Sequence, residues 1–243
     1  TVGNGQISLS GGDVSSGTGN VGIYADGGIS VGSHTINAPG GVASVVSATA
    51  GVTEQAGGSI NADTVVLQTY NPIGAAGAGN EVTINASHLS ATCTQGVIYV
   101  RNTRTSGLTI DTHATLDTSG CGGVSASAPI AGVYTQTSDT DVCVYTTGNL
   151  TVASHVYANG NVTLAAPAGN ITLTNGGDVY TTNADRNVAL YANGSVALNQ
   201  NSVTAGANTG EASIVAATGN ITSTNTAPGG GTVSGSQVVL WGN

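Results

Sequence analysis

Lysine, phenylalanine and methionine are absent from this 243-residue chain, and its only basic side chains are three arginines set against twelve acids. Charged residues make up 6% of the sequence and the formal charge is -9. With no basic cluster to supply counter-charges, nucleic acid and anionic membrane surfaces are not expected as partners. Large side chains are just as scarce, since one Trp and eight Tyr cannot fill an ordinary two-layer core. The interior is therefore expected to be narrow and filled by Val, Ile, Leu and Ala. Good helix formers are few beside Gly, Thr, Asn, Val and Ser, which excludes a helical fold. No apolar run approaches the roughly 18 to 20 residues of a membrane-spanning helix, so no transmembrane segment is expected.

The sequence starts at Thr1 without a signal-like segment and reads as a processed or excised piece. The lysine-poor surface, rich in Thr and Asn, points to export, and the expected location is extracellular, at a cell surface. Composition does not change character along the chain, which predicts one continuous domain over residues 1–243.

What the chain has in abundance is repetition. Gly169-Asn170-Ile171-Thr172-Leu173, Gly194-Ser195-Val196-Ala197-Leu198 and Gly219-Asn220-Ile221-Thr222-Ser223 follow one another at intervals of 25 residues, and further copies start at Gly148 and Gly160. Short alternating runs between them recur every eight or nine residues, making three strands per period. Alternation places Ile171 and Leu173 on one face of a strand and Thr172 on the other. Gly and Asn at the strand starts supply the corners. A sandwich or barrel needs strands that differ with position, whereas a solenoid needs them alike. The prediction is a right-handed parallel β-helix (β-solenoid) of about ten coils of about 25 residues, a rod roughly 50 Å long at ~4.8 Å per coil.

The Gly-Asn-apolar-Thr-apolar strands, clearest from Gly148 to Ser223, and the phrase Gly58-Ser59-Ile60-Asn61-Ala62-Asp63-Thr64-Val65-Val66-Leu67 resemble the filamentous-haemagglutinin-like exoproteins of bacterial two-partner secretion and related large β-helical adhesins. That family's secretion domain carries Asn-Pro-Asn signatures, whereas this chain has Asn71-Pro72-Ile73-Gly74. The resemblance thus implies a repetitive adhesive shaft, not the export domain.

Several residue sets are candidates for chemistry. Tyr134, Tyr157 and Tyr180 are 23 apart and follow apolar residues, which predicts an outward aromatic column. Such a column either binds sugars or a partner, or covers the coil surface. His88 and His113 differ by 25 and are expected one above the other at a corner, with no third metal ligand apparent. Cys93, Cys121 and Cys143 average one period of spacing, consistent with a shared column and one disulfide, or with buried small hydrophobes. Asn85, Asn149, Asn161, Asn170, Asn193 and Asn220 stand in Asn-x-Ser/Thr, which allows glycosylation; inter-coil Asn stacking is the alternative.

Asp139 with Asp141 and Arg101 with Arg104 are the nearest approach to the clustered charges of polysaccharide-cleaving β-helices. The acids are otherwise scattered singly, so no catalytic residue, metal or cofactor is expected. The expected function is an extracellular structural or adhesive surface protein, self-associating head-to-tail through its solenoid ends or forming the shaft of a large adhesin. Host or neighbouring-cell glycans or proteins are further candidate partners, and a polysaccharide-binding or polysaccharide-cleaving β-helix is the competing reading.

Overall fold

A computed structural model of the chain describes residues 5–121, 123–174, 176–206, 209–224 and 231–243. It is a β-solenoid of about nine turns, with coils stacked about 24 residues apart. Ser119–Cys121 is a 3-10 turn, and among the described residues no helix is long and apolar enough to cross a membrane.

Three strands per coil build three faces. Face A runs from Ile7–Ser8 through Ile29–Ser30 and Val52–Thr53, is bridged by Ile73, and continues through Ile98–Asn102, Val142–Thr146, Val162–Ala166, Val188–Ala192 and Glu211–Ala216 to Gln237–Trp241. Face B ends in Leu108–Ile110, Leu150–Val152, Ile171–Leu173, Val196–Ala197 and Ile221–Thr222. Face C runs from Val21–Ala25 through His88–Cys93, Val133–Thr135, Val156–Ala158, Val179–Thr181 and Val203–Thr204 to Val233–Ser234. The long strands Thr35–Ser47 and Ser59–Thr69 bend round a corner and serve faces B and C together.

Registers put like on like. Val162 lies on Val188, Leu164 on Leu190 and Ala166 on Ala192, all facing inward and all buried. Each Val or Leu among them contributes roughly 1.5–3 kcal/mol when buried. Bulk water is replaced by the neighbouring coil, and so the backbone bonds run between coils instead of within them.

Two irregularities interrupt this order. At the fourth coil the strands step sideways, so that Val100–Asn102 lies on Val82–Ile84 while Thr109 and Ile110 lie on His88 and Leu89. The wholly buried Asn102 mends the step, accepting from Ala86 N at 3.0 Å and donating to Thr146 Oγ1 at 3.3 Å. The next coil is long, with 44 residues between Asn102 and its neighbour Thr146. Its extra length is an excursion over 114–129, pinched at the neck by the antiparallel pair Thr112–His113 and Ile130–Ala131. The excursion folds back onto face C of earlier coils, where Leu116 N donates to Ser44 Oγ at 3.1 Å. Outward-facing Ser44, Val66 and Ser90 are buried at 0–1% exposure on that face.

Candidate functional site

Face C carries the candidate groups, because its outward column collects tyrosines. Tyr134 lies on Tyr157 and Tyr157 on Tyr180. The rings stack nearly parallel, with centroids 4.9 and 5.1 Å apart and planes 9° and 10° apart. Burial, aided by neighbouring tyrosines or Asp178, raises the hydroxyls of Tyr157 and Tyr180 above the ordinary phenol range. The spacing is that of the strands, so each ring closes its neighbour's face.

The histidines lie near the corner leading into face C, and each stands beside an aspartate. His34 is 3.7 Å from Asp13 and His155 is 3.8 Å from Asp178. His88 and His113 come together, with ring centroids 5.7 Å apart at 74°. Here the sequence-based expectation needs correction, because a third group lies between them. Asp111 Oδ2 is 2.7 Å from His88 Nδ1, and Asp111 Oδ1 is 2.8 Å from His113 Nε2. The signal in the sequence was Asp111-x-His113, which puts both side chains on one side of an extended segment.

The cysteines do not form the expected column. Cys93 points inward on face C between Thr69 and Thr135, whereas Cys143 lies on face A between Tyr99 and Thr163. Both are free thiols held above the ordinary range, chiefly by burial. The side chain of Cys121 lies outside the described residues. Cys93 takes a place otherwise filled by hydroxyls that tie down the corner backbone: Thr69 Oγ1 donates to Asn71 O at 2.6 Å and Thr135 Oγ1 to Thr140 O at 3.1 Å, as Cys93 Sγ does to Asn71 O at 3.2 Å.

Chain comparisons with family models, curated proteins and solved structures gave no match.

Asparagines of the sequons occupy two corner ladders. Asn149 Oδ1 accepts from Asn170 N at 2.9 Å, and Asn170 Oδ1 accepts from Ser195 N at 2.7 Å. At the other corner Asp141 Oδ1 accepts from Asn161 N at 2.6 Å and Asn161 Oδ1 from Asn187 N at 2.9 Å. These side-chain oxygens replace a backbone carbonyl where the chain turns, which satisfies donors that the corner would otherwise strand. Asn85, Asn193 and Asn220 are exposed.

The charges are also dispersed into structural pairs. Asp139 bonds Arg186, Arg104 bonds Ser106, and Arg101 joins Glu81 at 3.0 Å while lying 4.5 Å above the Tyr145 ring. Near this group, Glu54 accepts from Thr83 N at 2.7 Å, yet burial, with a smaller push from Glu81, raises its carboxyl to about 7. A carboxyl raised from 4.5 in the folded chain adds stability that is complete below 4.5 and lost as pH rises through 7. Glu54→Gln, which keeps the acceptor, is therefore expected to leave Tm unchanged near pH 4. At pH 8 it is expected to raise Tm by a few degrees, or about 1 kcal/mol after allowance for solvent screening. Thermal melts of both proteins at the two pH values check this.

Proposed function

We propose that the chain is a structural or adhesive shaft of an extracellular fibre, extended by rung-on-rung stacking of its two end coils. The carrying observation is that the two end strands of face A belong to one inward column. On face A the last strand leaves Val238 at 44% exposure and Leu240 at 53%, directly above Ala212 and Ile214. Ile7 and Leu9 at the other end are only partly covered, and Ile7 belongs to the same column through Ile29, Val52, Ile73, Ile98, Val142, Val162, Val188 and Ala212. Face B offers Val14 at one end and Ile221 at the other, both partly buried against the core. Placing the strand at Ile7 on that at Val238 continues the face A column by one step, a heterologous contact that repeats without closing.

A polar surface with few charges suits such a shaft, as does the resemblance to filamentous-haemagglutinin-like adhesins. The tyrosine ladder supports the glycan-binding alternative weakly, because rings about 5 Å apart admit no sugar between their faces. We read it as surface bracing of the rod.

The test is negative-stain electron microscopy together with sedimentation over a concentration series. Rods that lengthen in steps of one chain, roughly 45–50 Å at the strand spacing, are expected. Val238→Asp with Leu240→Asp should stop growth while leaving the far-ultraviolet β signal intact. Single-length particles at every concentration, or equal growth by the double variant, would refute the proposal.

A further inference from the structure

We propose that His88, Asp111 and His113 form a binding site for a zinc-like divalent transition ion, which clamps the neck of the 114–129 excursion to the coil beneath it. One ligand atom from each residue lies within 4.8 Å of the other two. Two imidazoles and one carboxylate are the donor set of borderline-soft ions such as zinc, and they do not suit calcium or magnesium, which take oxygen.

The contacts inside the cluster suit a cation. His113 Nε2 and Asp111 Oδ1 are 2.8 Å apart, but the alignment is not that of a hydrogen bond, and both atoms are buried without a hydrogen-bond partner. An unprotonated imidazole nitrogen and a carboxylate oxygen are both electron-pair donors, so together they are satisfied by a cation. Zinc bonded at about 2.0–2.1 Å sets tetrahedral ligand atoms roughly 3.4 Å apart, so seating it opens both this contact and the 2.7 Å hydrogen bond between His88 Nδ1 and Asp111 Oδ2 by well under 1 Å. All three side chains are part-exposed, which leaves the fourth position to water.

The ligands are held in advance. Asp111 N donates to Leu89 O at 3.2 Å, and Asp111 O accepts from Ser90 Oγ at 2.7 Å and from Gly132 N at 3.0 Å. His88 opens the strand His88–Cys93, whereas His113 belongs to the antiparallel neck. An ion here ties the departure of the excursion to the preceding turn of the solenoid. His34 and His155 have one aspartate each and no second histidine, so they serve as internal controls.

Titration calorimetry with zinc chloride at neutral pH is expected to give one ion per chain at micromolar affinity or tighter. His113→Ala and Asp111→Asn should each weaken it by about tenfold or more, and His155→Ala should not change it. Zinc should also slow proteolysis within 114–129 in the wild-type chain and in His155→Ala, but not in His113→Ala. Cobalt(II) added to the wild-type chain should develop the intense visible absorption of a four-coordinate site. That last measurement needs no variant, so misfolding of a substituted chain does not blur the outcome. An unchanged aqua-ion spectrum, or zinc binding that persists in the His88→Ala/His113→Ala double variant, overturns the site.

Discussion

Ile171→Asp is expected to open the stack at one rung and to cost at least ~4 kcal/mol, the range reached when an unpaired charge enters a core. Ile171 is fully buried, lies between Leu150 and Val196 on face B, and its N–H donates to Ser195 O at 3.0 Å. The interior has no basic group to pair with a carboxylate, because Arg101, Arg104 and Arg186 are engaged at the surface. A solenoid is held together chiefly by contacts between neighbouring coils, so opening the rung at Ile171 cuts the coils beyond it off from the rest, and they should unfold as a unit. Thr172→Asp, one residue along and facing outward between Thr151 and Ala197, is expected to stay within about 0.5 kcal/mol of wild type. Hydrogen exchange read by mass spectrometry checks both. Protection should vanish from Leu150–Val152 to the last strand in Ile171→Asp and survive in Thr172→Asp. Equal protection in the two variants would mean that the alternation is misassigned.

The repeat was legible because it is enforced twice, once by the inward apolar positions and once by the Gly and Asn corners. Ile171, Val196 and Ile221 are 25 residues apart in sequence and stand on one another in space. The excursion was not legible, since residues 114–129 are as rich in Ser, Gly, Ala and Thr as the coils they leave, and composition carries no mark of the departure. Its extra length also spoiled the cysteine arithmetic. Averaged spacing put Cys93 and Cys143 in one column, but the interval spans the excursion and a change of face. The Tyr134, Tyr157 and Tyr180 interval crosses no such insertion, and those rings meet. Asp111 was hidden for a different reason: a single acid after a strand reads as a solvated end, and only the neck, closed by Thr112 on Ala131, turns it between two histidines.

Gly132→Ala is expected to cost ~3–5 kcal/mol, because two separate penalties fall on one residue. Its φ is +89°, a region that a Cβ disfavours by roughly 1–2 kcal/mol. A Cβ built there would also lie 2.0 Å from His155 O, which is backbone and cannot rotate away. That carbonyl already accepts from Val133 N at 3.1 Å, and Gly132 O accepts from Ala91 N at 2.9 Å. Gly132 is thus the point where the chain re-enters face C after the excursion, held above by one turn and below by another. Pushing the turns apart must lengthen the Val133 bond and lift Tyr134 from Tyr157, so the near-ultraviolet circular dichroism of the stacked tyrosines should fall along with Tm. Gly120→Ala is the matched control: it lies in the excursion with nothing within 4 Å of its added methyl, and it should change neither signal. If both substitutions were equally silent, the excursion would have to rejoin the ladder elsewhere, and the tyrosine register above it would not depend on this turn.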